Sequence, residues 1–194
     1  ACLVGSEMCI RDRVKGEAGS PYAIKDYYDI DPDLAEDPST RMQEFEALVT
    51  RTHEVGLKVV LDFVPNHVAR QYHSDTAPEG VDDLGAHDNK EMHFSPSNNF
   101  YYIPRQAFTP QFYIGEGEDR YFEYPAKATG NDCFGAFPGE YDWYETVKLN
   151  YGVDYTGGGR CHFDPIPDTW YKMLDILLFW CGKGADAFRC DMAH

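Results

Sequence analysis

The sequence predicts an α/β fold built on a parallel sheet or barrel, because a helix followed by a buried strand occurs twice. The first unit is an amphipathic helix from Thr40 to Gly56, followed by the apolar run 57–64. The second unit is a helix over residues 169–181, followed by a short strand over 185–190. Short apolar runs of this kind are typical of strands buried on both faces of a parallel sheet. A chain of 194 residues is long enough to form a domain around such a core.

Each predicted helix carries signals for its ends. Thr40 and Gln43 have the spacing of a capping box, and Gly56 is the residue type that often follows a helix C-terminus. The second helix ends at a Gly-Lys-Gly sequence. From the helical spacing of its apolar residues, we expect a buried stripe made of Trp170, Met173, Leu174, Leu177, Leu178 and Cys181.

The charge of the chain excludes two classes of partner. Seventeen Lys and Arg residues against 33 Asp and Glu residues give a net charge of -16. Such a chain repels the phosphates of nucleic acid and of an anionic membrane surface. Asp62 and Asp175 interrupt the longest apolar runs, so the sequence predicts no membrane span.

A long segment between the two units, residues 69–159, has a different character. It is rich in turn-forming residues and shows no sustained helical period, so we expect an inserted subdomain with short antiparallel strands. Aromatic pairs such as Tyr101-Tyr102 and Phe112-Tyr113 lie among its carboxylates. They have two interpretations: the buried faces of short strands, or a surface for a ligand that has hydroxyls and flat C–H faces, as sugars have.

Polar side chains follow both predicted strands where they end. Asp62, Asn66 and His67 lie in or directly after the first strand, and Arg189 and Asp191 close the second. In parallel α/β sheets and barrels this end carries the active site. For Asp62 and Arg189 a purely structural ion pair between the strands is the alternative to a catalytic role. That alternative does not account for Asp191 and His67.

Three short motifs occur in order: Asp62-Phe-Val-Pro-Asn-His67, Val147-Lys-Leu-Asn150 and Ala187-Phe-Arg-Cys-Asp191. In this order and spacing they resemble the signatures of glycoside hydrolase family thirteen, the α-amylase family. Residues 20–28 are also similar to the loop after the second strand of that family.

The resemblance implies a partial (β/α)8 TIM barrel around strands three and four. Residues 19–68 would contain the loop after strand two, helix two and strand three. Residues 69–159 would form the inserted domain B, and residues 160–194 would contain helix three and strand four. Residues 1–18 do not fit the pattern, and we expect them to be a non-native or disordered leader.

The resemblance also implies roles for single residues. Asp191 matches the catalytic nucleophile of a retaining glycosidase, and Arg189 matches the residue that keeps it ionised and oriented. Tyr22 and His67 match substrate-binding positions at the cleaved sugar, and we expect Asp62 to join them in the cleft. The implied substrate is an α-glucan or a maltooligosaccharide. No cofactor is required for this chemistry.

A structural calcium ion is also implied, because Asn66 and Asn150 match positions that bind calcium in many members. Calcium takes six to eight oxygen ligands, so two amides are not by themselves a calcium site.

The implied chemistry needs a second carboxyl group, since retaining hydrolysis uses two such groups about 5–5.5 Å apart. The general acid of the family is a glutamate on a later strand. We therefore expect this chain to be part of a longer enzyme and to be inactive alone.

Three other functions are compatible with the motifs. The first is an α-glucan transglycosylase, which uses the same nucleophile and transfers the sugar to another sugar instead of water. The second is a carbohydrate-binding barrel relative without catalysis, against which the intact Asp191 and Arg189 argue. The third is a metal hydrolase using Asp62, His67 and Asp191, for which the sequence contains no HxH or HExxH pair.

Overall fold

The computed structural model describes residues 3–5, 22–111 and 121–192. Two α-helices occur in these ranges, α1 (Arg41–Glu54) and α2 (Asp168–Gly182). Short 3-10 turns at Pro32–Leu34 and Pro38–Thr40 precede α1. The strands of the described ranges are β1 (Leu3–Gly5), β2 (Val59–Phe63), β3 (His67–Ala69), β4 (Tyr102–Ile103), β5 (Ala126–Lys127), β6 (Thr146–Lys148), β7 (Val153–Asp154), β8 (Arg160–Cys161) and β9 (Ala187–Cys190).

A parallel sheet in the order β1-β2-β9 organises the fold. The prediction that the two strands lie parallel and adjacent is confirmed, with Leu61 opposite Phe188 and Asp62 opposite Arg189. The predicted burial of the second strand is wrong, because three of the four residues of β9 are exposed and Phe188 is half-buried. Because the register brings Asp62 and Arg189 to neighbouring positions, their charged groups can meet across the sheet.

Hydrogen bonds fix both ends of the β2–β9 pair. At the start, the Asp186 carboxylate accepts hydrogen bonds from the backbone N–H of Val59 (2.9 Å) and from Lys58 Nζ (2.7 Å), and it lies 2.7 Å from His53 Nε2. At the other end, the backbone N–H of Asp191 donates to the carbonyl oxygen of Phe63 (2.8 Å). The hydrogen bond to Phe63 places Asp191 beside the end of β2.

Helix α1 lies where the sequence predicts it, but its N-terminus is built differently. The predicted capping box of Thr40 and Gln43 is wrong, because the Thr40 side chain makes no capping hydrogen bond. The Thr40 hydroxyl instead contacts Asp37 O and Glu44 Oε1, and Glu44 also accepts from the backbone N–H groups of residues 36 and 37. One carboxylate in the first turn therefore closes the preceding loop onto the helix.

The buried face of α2 differs from the predicted stripe. The buried residues are Thr169, Met173, Ile176 and Trp180, whereas Trp170, Leu174, Leu178 and Cys181 are exposed. The apolar residues have the predicted helical period, but α2 is rotated about its axis, so that a different face of the helix is buried. Trp180 decides the rotation, because its ring is fully buried and its Nε1 donates to the carbonyl oxygen of Tyr27 (2.7 Å).

The described residues of the segment between β2 and α2 form three two-stranded antiparallel ladders, β3–β6, β4–β5 and β7–β8. The described part of this segment contains no α-helix, as the sequence predicts. Its hydrophobic residues belong partly to the same core as the sheet: Val68, Phe100 and Val147 pack in one cluster with Leu61 and Trp180. The ladders are therefore packed directly against the α/β layer.

The predicted leader, residues 1–18, is described only at Leu3–Gly5. Those three residues form β1, which pairs in parallel with β2. The remainder of the leader lies outside the described residues, and its non-native origin stays a prediction. Within the part of the chain that the structure describes, neither helix is long and apolar enough to span a membrane.

The turn between α2 and β9 depends on the absence of a side chain at Gly184. Its φ is +96°, and a Cβ atom there would lie 2.7 Å from Val49 Cγ1 of α1. We expect Gly184→Ala to lower the free energy of unfolding by about 2 kcal/mol, through backbone strain and this close contact. Urea unfolding measures the change.

Gly182→Ala is the matched control for that prediction. Gly182 ends α2, and a Cβ atom there would meet nothing within 4 Å. Alanine has the higher helix propensity, so we expect no loss of stability and a gain of up to ~1 kcal/mol. Equal effects of the two substitutions would contradict this account of the turn.

Candidate active site

Arg189 joins two carboxylates at the ends of β2 and β9. Its Nη1 lies 2.7 Å from Asp62 Oδ2, and its Nη2 lies 2.8 Å from Asp191 Oδ1. The predicted hydrogen bond between Arg189 and Asp191 is therefore present. The Asp62 side chain is only 6% exposed, whereas that of Asp191 is 26% exposed. The same guanidinium thus holds one buried acid inside the sheet and one accessible acid at its end.

Tyr22 lies at the same place. Its side chain hydrogen-bonds Arg189, and its backbone hydrogen-bonds His67. The hydrogen bond to Asp62, followed by the charge of that carboxylate, raises the pKa of Arg189. The five residues expected to share one cleft, Tyr22, Asp62, His67, Arg189 and Asp191, are thus linked to one another by contacts or charge.

Asn66 fixes the orientation of the His67 ring. The Asn66 amide nitrogen donates to Gly130 O (2.7 Å) and lies 3.0 Å from His67 Nδ1, and its amide oxygen accepts from Lys148 Nζ (3.2 Å). The ammonium group of Lys148 can only donate, and the carbonyl oxygen of Gly130 can only accept. These two neighbours therefore show which end of the Asn66 amide is the oxygen and which is the nitrogen. Nδ1 of His67 is then an acceptor, and the ring proton of the neutral imidazole is on Nε2.

His67 is neutral in this environment. It is 3% exposed, and its ring meets the Trp143 ring edge-on at 5.4 Å between centroids. Burial lowers the pKa of His67 from 6.5 to about 4, since desolvation disfavours the imidazolium form. The hydrogen bond to the backbone of Tyr22 and the charge of Asp191 oppose this shift, and the charge of Lys148 adds to it. The neutral ring places no second positive charge beside Arg189, and both of its nitrogens have hydrogen-bond partners, Asn66 and the Tyr22 backbone.

The two residues implied for calcium do not form a calcium site. The oxygen of Asn66 faces the ammonium of Lys148, which repels a metal ion. Asn150 is fully buried, its oxygen accepts from the backbone N–H of Gly152 (2.9 Å), and its nitrogen donates to two backbone carbonyls. No cluster of three His, Cys, Asp or Glu side chains suited to a metal occurs among the described residues. The donor set does not fit the ion.

The sequence pattern predicts no role for Lys148 or Trp143. Lys148 belongs to β6 and lies opposite His67 in the β3–β6 register. The available signal was a single lysine between apolar residues in the motif Val147-Lys-Leu-Asn150. Trp143 carried no signal, because it lies in the turn-rich segment where every aromatic residue had two interpretations.

Comparison with known proteins identifies the family of the chain. The family described as the alpha-amylase catalytic domain matches residues 14–131, which is more than half of the chain. The chain belongs to the α-amylase family. The match includes Tyr22, Asp62 and His67, and the α/β architecture of the sheet agrees with it.

The curated relatives of this chain include both maltases and amino acid transporter heavy chains. Maltase 1 of Drosophila virilis is 26% identical over 171 residues, which cover 88% of this chain and 22% of the relative. The amino acid transporter heavy chain SLC3A1 of Homo sapiens is 23% identical over 190 residues, covering 88% of this chain and 20% of the relative. The chain thus spans about a fifth of the length of these relatives.

Among solved structures, this chain is similar to an alpha-amylase from Lactobacillus plantarum. The TM-score is 0.50 at 24% identity, and the match covers 99% of this chain and 30% of that one. At this identity the similarity concerns the fold alone, and it supports the α/β class.

The protonation state of His67 gives a testable consequence. By NMR titration we expect its imidazole to remain neutral at pH 5 and to take up a proton near pH 4. His73 is the internal contrast, because its hydrogen bond to Asp83 raises its pKa above 6.5. Loss of one resonance in His67→Gln assigns the signal.

The same shift predicts a contribution of His67 to acid sensitivity. The pKa of His67 is lower in the folded state, so the unfolded state binds the proton first as the pH falls. This contribution to stability is complete above pH 6.5 and is lost between 6.5 and about 4. Titration of His67 near pH 6.5 in the folded protein would contradict the account.

Proposed function

We propose that the full-length protein to which this chain belongs hydrolyses α-glucosidic bonds with retention of configuration, and that Asp191 is its nucleophile. The observation that carries the proposal is the pairing of accessible Asp191 with Arg189 at the end of a parallel strand. The hydrogen bond from Arg189 holds the attacking carboxylate in one orientation at the end of the strand.

The proposed reaction has two steps at Asp191. One carboxylate oxygen attacks the anomeric carbon and forms a glycosyl ester, while a second carboxyl group protonates the departing glycosidic oxygen. Water, deprotonated by that second group, then attacks the anomeric carbon and releases Asp191. We assign the second carboxyl group to a glutamate on a later strand of the full-length protein.

The remaining residues of the cleft bind the sugar in this proposal. We assign His67 and Tyr22 to the cleaved sugar: the neutral His67 ring is hydrogen-bonded to the Tyr22 backbone, and the partly exposed ring of Tyr22 forms a platform for an apolar sugar face. We place Asp62 beside them as the acid that fixes Arg189. The names of the maltase relatives favour a maltooligosaccharide or an α-glucan as the substrate.

The same proposal covers the larger architecture. We infer that β2 and β9 are strands three and four of a (β/α)8 barrel and that the antiparallel ladders are its inserted domain B. The parallel pairing of the two strands supports this, as does the long segment between β2 and β9. Transfer of the glycosyl group to a sugar instead of water uses the same residues and remains within the proposal.

A non-catalytic relative is the second candidate, because one similar protein is an amino acid transporter heavy chain. The two candidates differ in what they require of the cleft. A binding or assembly protein has no need of an accessible carboxylate held by an arginine, whereas a glycosidase requires it. The pair of Arg189 and Asp191 therefore favours the enzyme.

Substitution of the nucleophile tests the proposal. In the full-length protein we expect Asp191→Asn to reduce hydrolysis of maltooligosaccharides by orders of magnitude, because the amide cannot form the glycosyl ester. The melting temperature should change little, since the Asp191 side chain is accessible and the amide still accepts a hydrogen bond from Arg189.

Asp175→Asn is the matched control. Asp175 is an exposed acid on α2, away from the cleft, and its substitution should leave turnover at the level of the unsubstituted protein. Turnover by Asp191→Asn close to that of this control would reject Asp191 as the nucleophile. An unsubstituted full-length protein without any glycosidase activity would favour the non-catalytic candidate.

A further inference from the structure

We propose that the ammonium group of Lys148 is a built-in cation that links three segments beside the cleft, so that this region needs no bound calcium. The three segments are the end of β2 at Asn66, strand β6 at Lys148 itself, and the loop 129–133 at Asp132. The proposal does not depend on the catalytic activity.

The contacts of Lys148 are those of a coordinated cation. Its Nζ lies 2.6 Å from Asp132 Oδ1 and 3.2 Å from Asn66 Oδ1, and it faces the Tyr155 ring at 5.3 Å from the centroid. The Lys148 side chain is only 6% exposed. A carboxylate, an amide oxygen and an aromatic face thus surround one desolvated positive charge, which is an arrangement that stabilises a cation.

The loop 129–133 is built around this charge. Asp132 has φ +70°, a left-handed conformation that aspartate and asparagine adopt more readily than most other residues. Gly130 has no room for a side chain, since a Cβ atom there would lie 2.9 Å from His67 Cβ, and its carbonyl accepts from Asn66. The ammonium therefore holds the loop that covers His67.

A calcium ion cannot share this position with Lys148. Two like charges a few ångströms apart repel strongly where one of them is buried; the Lys148 side chain is 6% exposed, although its partner Asp132 is 54% exposed. The oxygen of Asn66 and the carboxylate of Asp132, both of which suit calcium, are already engaged by the lysine. The cation that joins these segments is a side chain of the protein.

The test is a double-substitution cycle of Asp132→Asn and Lys148→Met, measured by thermal unfolding of the full-length protein. Asp132→Asn keeps the backbone conformation but leaves the ammonium buried without its counter-charge. We expect it to lower the melting temperature by roughly 5 °C, because a buried charge that loses its partner is destabilising.

In the Lys148→Met background the same substitution should have less than half of this effect, because no buried charge remains to be compensated. Equal shifts in the two backgrounds would overturn the proposal. If Asp132→Asn alone fails to fold, recovery of a folded double variant supports the proposal, and failure of both overturns it. Glu140→Gln, an exposed acid that forms no ion pair with a described residue, is the control and should change nothing.

The calcium part of the proposal has its own measurement. Hydrogen exchange of the peptides that cover residues 128–133 should be the same after treatment with EDTA and after addition of calcium chloride. Slower exchange of these peptides with calcium, reversed by EDTA, would show a metal at this position and overturn the proposal. Neither readout uses turnover, so loss of the proposed glycosidase function would leave this result unaffected.

Discussion

Arg189 lies between two carboxylates, and the arrangement of the strand ends depends on this contact. The parallel register of β2 and β9 places Asp62 directly opposite Arg189, and Asp191 follows two residues later. Asp62 is buried and its Oδ1 makes no hydrogen bond with a described residue, so Arg189 supplies the charge that makes its burial tolerable. Without the arginine, one buried acid would be uncompensated and one accessible acid would lose its orientation.

The structural and catalytic interpretations of Asp62 and Arg189 are therefore not exclusive. The same guanidinium pairs across the strands through Nη1 and orients the accessible acid through Nη2. A second set of contacts, from Lys148 through Asn66 to His67, fixes the neighbouring imidazole in the same way. In both cases a positive charge contacts a buried polar side chain: Arg189 contacts Asp62, and Lys148 contacts Asn66.

The sequence predicted the local pattern of the sheet and the positions of the charged residues, because buried parallel strands are short apolar runs with few polar residues. It did not predict the rotation of α2. That helix has apolar residues on several faces, and only the burial of Trp180 against Tyr27 selects one of them. The sequence also did not predict the contacts of Lys148, because Asp132 belongs to a separate loop whose conformation no local sequence pattern specifies.

The role of Asp191 can be tested by trapping the covalent intermediate. A fluorinated α-glucosyl substrate with a good leaving group forms the glycosyl ester and hydrolyses slowly, so the labelled residue can be identified by mass spectrometry of peptides from the full-length protein. The account predicts one added fluoroglucosyl unit on the peptide that contains Asp191, and none in Asp191→Asn. A label on Asp62 or on any other carboxylate, with Asp191 unmodified, would contradict it.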